Sequence, residues 1–88
     1  MKFTYLTQND FERNCPCWSQ LAAYAESIFP ATSRLDLKIA RQSMSDSNTY
    51  TAIYDVASGL AKFILEVSCT IHSDHTYSYK TINKTETP

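Results

Sequence analysis

The stretch LAKFILEVSCTIH, residues 60–72, alternates without a break. Ala61, Phe63, Leu65, Val67, Cys69 and Ile71 share one side of an extended chain, and Lys62, Ile64, Glu66, Ser68, Thr70 and His72 share the other. A two-residue repeat sustained this long is a β-strand, because successive strand side chains point to opposite faces. Its apolar face must be covered, which makes the remaining chain its cover and its neighbours.

The cover comes earlier in the chain. Trp18, Leu21, Ala22, Ala25, Ile28 and Phe29 recur at helical spacing and form one apolar stripe, which Pro30 ends. A helix start lies further upstream. Thr7 occupies an N-cap position, Asp10 stands where a carboxylate favours the free N–H groups, and Leu6 and Phe11 take the two staple positions. Pro16 is tolerated only in a first helical turn, so a break or kink is expected near Asn14–Pro16.

The neighbours are further strands. Residues 2–6 alternate with Phe3 and Tyr5 on one side, and Leu35, Leu37 and Ile39 alternate with Asp36, Lys38 and Ala40. Residues 43–48 form a polar turn, and Tyr50–Ala57 alternates again before Ser58-Gly59, a plausible two-residue hairpin loop. Closing that loop sets Tyr54 opposite Phe63, Ala52 opposite Leu65 and Tyr50 opposite Val67. The other face then receives Asp55 with Lys62, Ile53 with Ile64, and Thr51 with Glu66. Ser73-Asp74-His75 closes the next hairpin, with Ile71 facing Tyr77 and Cys69 facing Tyr79. The last strand is expected to end near Asn83, leaving 84–88 as a frayed polar tail.

The expectation is a single α+β domain over residues 1–83. It consists of an antiparallel four- to five-stranded meander with one N-terminal helix, kinked or straight, on one face. The pattern leaves open where the first strand joins. Phe3 to Phe11, with Leu6-Thr7 before Asp10, resembles the first strand and helix start of acetyl-coenzyme-A-dependent N-acetyltransferase domains, and the hairpin around Ser58-Gly59 is similar to their early strands. The glycine-containing loop with which that family binds pyrophosphate has no counterpart. The resemblance therefore implies patterning over part of the chain, and no activity or site residue.

Composition narrows the function classes. Eighty-eight residues suit one domain, burying roughly 60% of its unfolded surface. A net charge of −1 supplies no long-range field toward nucleic acid or anionic membrane. No apolar run reaches the length of about 18 residues that a membrane span needs. The N-terminal residues lack the apolar core of a signal peptide, and three cysteines are an odd number, so an intracellular, cytoplasmic protein is expected. Gly59 is the sole glycine, which excludes phosphate loops built from several.

Three constellations are weighed for chemistry. Cys15, Cys17, Cys69, His72 and His75 are five candidate zinc ligands, but one residue between the first two is a tight spacing, and Cys69 and His72 point to opposite strand faces. The bland alternative makes Cys69 a small core hydrophobe and has the histidines cap a turn. Cys17, near a helix N-terminus, is a candidate reactive thiol without a local catalytic signature. Asp55, Glu66 and Asp74 are the available carboxylates, with Asp55 expected in a solvated pair with Lys62. No catalytic, cofactor or metal residue is assigned, and no enzyme is expected.

The non-helix face carries the expected binding residues: Ile53, Asp55, Lys62, Ile64 and Glu66. Apolar side chains rimmed by polar ones suit a protein partner or a second copy of the chain, although a lone isoleucine pair on a sheet is also ordinary. The expected function is a protein-binding module or inhibitor that occludes a partner surface, for instance a phage- or plasmid-encoded anti-defence protein of the anti-CRISPR kind. The alternatives are a single-stranded nucleic-acid binder using Tyr50, Tyr54, Tyr77 and Tyr79, and a small zinc- or thiol-dependent enzyme.

Overall fold

The computed structural model describes residues 3–88. Its elements are β1 (Phe3–Leu6), α1 (Gln8–Asn14), α2 (Trp18–Ser27), β2 (Arg34–Ser43), β3 (Thr49–Ser58), β4 (Ala61–Ile71) and β5 (Tyr77–Thr87). The five strands form one antiparallel sheet in chain order, β1-β2-β3-β4-β5, with both helices on one face. This is the expected α+β meander. The first strand joins at the β2 edge, pairing Phe3 with Ser43 and Leu6 with Ala40. Lys2, expected within the first strand, lies outside the described residues.

The helical segment is two helices instead of one. Thr7 Oγ1 accepts the Asp10 N–H at 3.1 Å, so α1 begins at the expected cap. It ends at Cys15, and Pro16, which has no N–H to continue the ladder, forms a corner from which α2 starts with Cys17 as its N-cap. Leu21, Ala25 and Phe29 are buried against the sheet, with Phe11 from α1. Trp18, first in the apolar stripe, stays at the rim.

The β3–β4 pairing is displaced by two residues from the expected one. Tyr54 faces Leu65, Ala52 faces Val67 and Tyr50 faces Cys69, because the loop is Gly59-Leu60 and not Ser58-Gly59. Gly59 has φ +61° and is the first loop residue, the position where a two-residue turn of the II′ type takes glycine. Placing Gly59 second would require a positive φ at Ser58. Because the displacement is an even number of residues, the faces are preserved. The expected cross-strand pairs on the other face change: Asp55 now faces Ile64, Ile53 faces Glu66, and Lys62 faces Ala57.

Two bulges were not expected. In β2 the register shifts between Leu37 and Ile39, leaving Lys38 as the extra residue. Beyond it the faces exchange. Ala40 enters the core opposite Ala52, and Ile39 turns to the uncovered face opposite Ile53. In β5 the extra residue is Ile82, since Val67 faces Thr81 while Glu66 faces Asn83. The exchange brings Lys84 to the helix side, its ammonium 4.8 Å from the Phe29 ring centre. Residues 84–87 are therefore strand and not frayed tail, and Thr87 Oγ1 donates to the Lys62 carbonyl at 3.1 Å. The β4–β5 loop is as expected, with His75 at φ 68° completing the three-residue turn.

Candidate interaction surface

The sheet has a covered and a bare face. Tyr50, Ala52, Tyr54 and Val56 of β3 and Leu65, Val67 and Cys69 of β4 point under the helices and are buried. The tyrosines considered for base stacking belong to this side. Tyr50 and Tyr54 are core residues, and Tyr79 stacks against Tyr24 of α2 at 5.3 Å between ring centres. Tyr50 and Tyr54 therefore offer no exposed stacking platform, while Tyr77 and Tyr79 are partly exposed on the edge strand.

The bare face is built from the alternate residues. At one end the ion pair between Arg41 Nη2 and Glu66 Oε2, 2.7 Å, bridges β2 and β4 across β3. The pair sits over Thr51, which is buried, and the Arg41 guanidinium lies 4.1 Å above the Phe3 ring centre. With Ser43, Ser68, Lys80 and Ile82 these residues border a trough of about 510 Å³. Both charged side chains are more than four-fifths buried, and Arg41 Nε is enclosed without a hydrogen-bond partner among the described residues. At the other end Asp55, Lys62 and Ile64 border a second depression of about 340 Å³ with Asp36 and Thr87. Ile39 and Ile53, paired across β2 and β3, lie between.

The five expected binding residues thus share one face, in different company than their spacing suggested. Asp55 pairs with Lys38 at 3.3 Å, not with Lys62, because the β2 bulge frees Lys38 from the ladder. Ile53 and Ile64 are diagonal neighbours and not opposite ones. Phe3, Tyr5, Ile39 and Arg41 were not anticipated here. Placing Arg41 beside Glu66 requires the register of three strands, which no local pattern carries.

The thiols converge and the histidines do not. Cys15 and Cys17 Sγ are 3.3 Å apart across the Pro16 corner, and Cys69 is buried in the same core cluster. All three are buried. The hydrogen bond from Cys15 brings Cys17 down to about 7, helped by Cys69. Cys15 is raised by the same bond and by burial, and Cys69 by burial and then by its bond to Cys17. His72 and His75 are exposed in the β4–β5 loop, where His72 Nε2 hydrogen-bonds Ser78 Oγ at 2.6 Å. Among the described residues no group of three or more Cys, His, Asp or Glu is arranged to hold a metal ion.

What fold and surface define is a class: a helix-backed antiparallel meander with one sheet face bare. No protein-family model, curated protein or solved structure matches the chain. No helix of the described residues is long and apolar enough to cross a membrane.

Proposed function

We propose that this protein is a protein-binding module that acts by occluding a partner's surface with the bare face of its sheet. One observation carries the reading. Tyr5, Ile39, Ile64 and Ile82, four of the large apolar side chains that remain exposed, lie on this face around the Arg41–Glu66 pair. Interfaces owe most of their energy to a few aromatic, aliphatic and arginine anchors ringed by polar groups, and Arg41 is already desolvated and held in place. An inhibitor of this build, such as an anti-defence protein of the anti-CRISPR kind, needs a matching surface and no reaction centre.

The test is a tagged pull-down from host lysate, with and without nuclease, comparing the wild type with Ile64→Asp and Arg41→Glu. One protein retained near stoichiometry by the wild type after nuclease, and lost by both variants, supports the reading. Retention abolished by nuclease replaces it with nucleic-acid binding. Gel filtration of the chain alone distinguishes a second copy as the partner, since the same substitutions would then dissociate a dimer.

A further inference from the structure

The thiols at the corner between the helices take no part in the bare face, and their geometry has a chemistry of its own. The Trp18 N–H donates to the Cys15 carbonyl at 3.2 Å, which closes residues 15–18 into a turn with Pro16 at its second position. Proline has its φ already set for that position, so the corner costs little chain freedom. The turn holds the Cys15 and Cys17 Sγ atoms 3.3 Å apart, and both residues are fully buried.

Two sulfurs placed in this way are close to a bond. A disulfide needs Cα atoms no more than about 6.8 Å apart, and two peptide steps reach about 7 Å only when fully extended, which a turn is not. Its sulfurs stand about 2.0 Å apart, so closure from 3.3 Å is a contraction of about 1.3 Å.

The two thiols are also unlike each other. The hydrogen bond from Cys15 holds Cys17 at about 7, so a large share of it is thiolate at neutral pH. That same bond, and then burial, keep the proton on Cys15. Burial does not seal the pair. Phe11 is the sole buried residue of α1, and a helix of two turns has little stability of its own, so α1 opens at lower cost than the sheet. Hydrogen peroxide is little larger than water and needs only such an opening.

We propose that Cys15 and Cys17 form a redox-modification site, which a hydroperoxide closes reversibly into a disulfide across Pro16. The Cys17 thiolate attacks one peroxide oxygen, the O–O bond breaks, and the departing hydroxide takes up a proton to become water. Cys17 is then a sulfenic acid. The Cys15 sulfur displaces the hydroxyl group from Cys17, the S–O bond breaks as the S–S bond forms, and the Cys15 proton leaves in a second water. Two thiols are oxidised and one peroxide is reduced to two waters. An external dithiol reverses the closure by exchange. Cys69, on β4 and outside the turn, keeps its thiol.

The experiment treats the reduced, folded full chain with hydrogen peroxide at neutral pH, then alkylates the remaining thiols in denaturant for mass spectrometry. Tryptic peptide 14–34 carries both corner cysteines and peptide 63–80 carries Cys69. Peptide 14–34 should be unalkylated and lighter by about 2 Da, the two hydrogens lost, with Cys69 alkylated and dithiothreitol restoring alkylation of all three. Cys69→Ala should still close. Cys15→Ala and Cys17→Ala should form no bond, and circular dichroism before oxidation shows whether each variant is folded. Where one is not, the wild-type mapping assigns the bond by itself. Three alkylated thiols after peroxide, a bond to Cys69, gains of about 32 Da or more from over-oxidation in place of closure, or closure only in urea would each overturn the proposal.

Discussion

The two faces of this sheet come from the same four long strands and do opposite things with their alternate residues. On the helix side β3 and β4 present Tyr50, Ala52, Tyr54, Leu65 and Val67, which lose nearly all contact with solvent. On the bare side the same strands present Thr51, Ile53, Asp55, Ile64 and Glu66, and the most enclosed of these is a threonine beneath an ion pair. Enclosure on the first side comes from another layer of structure. On the second it comes from long side chains lying flat over short ones. Stability is therefore concentrated on one face, leaving the other free to vary in chemistry without threatening the fold.

The sharpest way to break this contrast is to remove comparable apolar groups from each side. Leu65→Ala, at a fully buried position, should lower the unfolding free energy by about 2–5 kcal/mol, whereas Ile64→Ala, 39% exposed, should cost under about 1.5 kcal/mol. Urea denaturation of both variants measures the difference. Equal losses would mean that the bare face is covered in solution.

A smaller effect is expected at the ion pair. Arg41→Leu leaves Glu66 in a pocket with no partner and removes the cation from Phe3, for an expected loss of about 1–3 kcal/mol. Adding Glu66→Leu should recover part of that loss. Failure of the double substitution to recover any would show that the two side chains are not coupled, and that the trough is not organised by their attraction.

The smallest effect belongs to the thiols and tests the covered side by pH. Cys17 titrates near 7 in the fold against an ordinary 9.0, so the unfolded chain holds this proton longer. That contribution is present above 9 and is lost as pH falls through 7. Cys15 and Cys69 are raised, so their contribution is present below 9 and is lost as pH rises above it. The part of stability that depends on Cys17 should therefore climb between pH 7 and 9 and decline beyond. Denaturation curves of wild type and Cys17→Ala across this range give that part as their difference, and a flat difference would show that the cluster does not share its protons in this way.

Much of the fold was legible because alternation and capping are local. Thr7 with Asp10, the stripe from Leu21 to Phe29, and the three-residue turn at 73–75 each declare themselves within a few positions. What escaped was anything decided by a single residue's placement relative to another strand. Nothing around Lys38 or Ile82 distinguishes an extra residue from a paired one, yet each exchanges the faces beyond it. The site suffered most, since Arg41 meets Glu66 only after the exchange at Lys38. Convergence of Cys69 with the Pro16 corner likewise depends on how α2 is laid across β4, a tertiary choice with no trace in spacing.

The chain-order arrangement of the strands has a consequence for assembly in time. β2, β3, β4 and β5 are joined by the short connections at Met44–Asn48, Gly59–Leu60 and 72–76, so each pair can close with little loss of chain freedom. β1 is different, because both helices stand between Leu6 and Arg34, and its pairing must wait until that whole segment has turned back. Contacts between residues distant in sequence form late. Phe3, which forms one wall of the trough at Arg41, arrives with that last strand. Of the surface proposed to meet a partner, the edge carrying Phe3 and Tyr5 is thus expected to form last, and a chain caught before that step would have most of its sheet and a trough lacking its Phe3 wall.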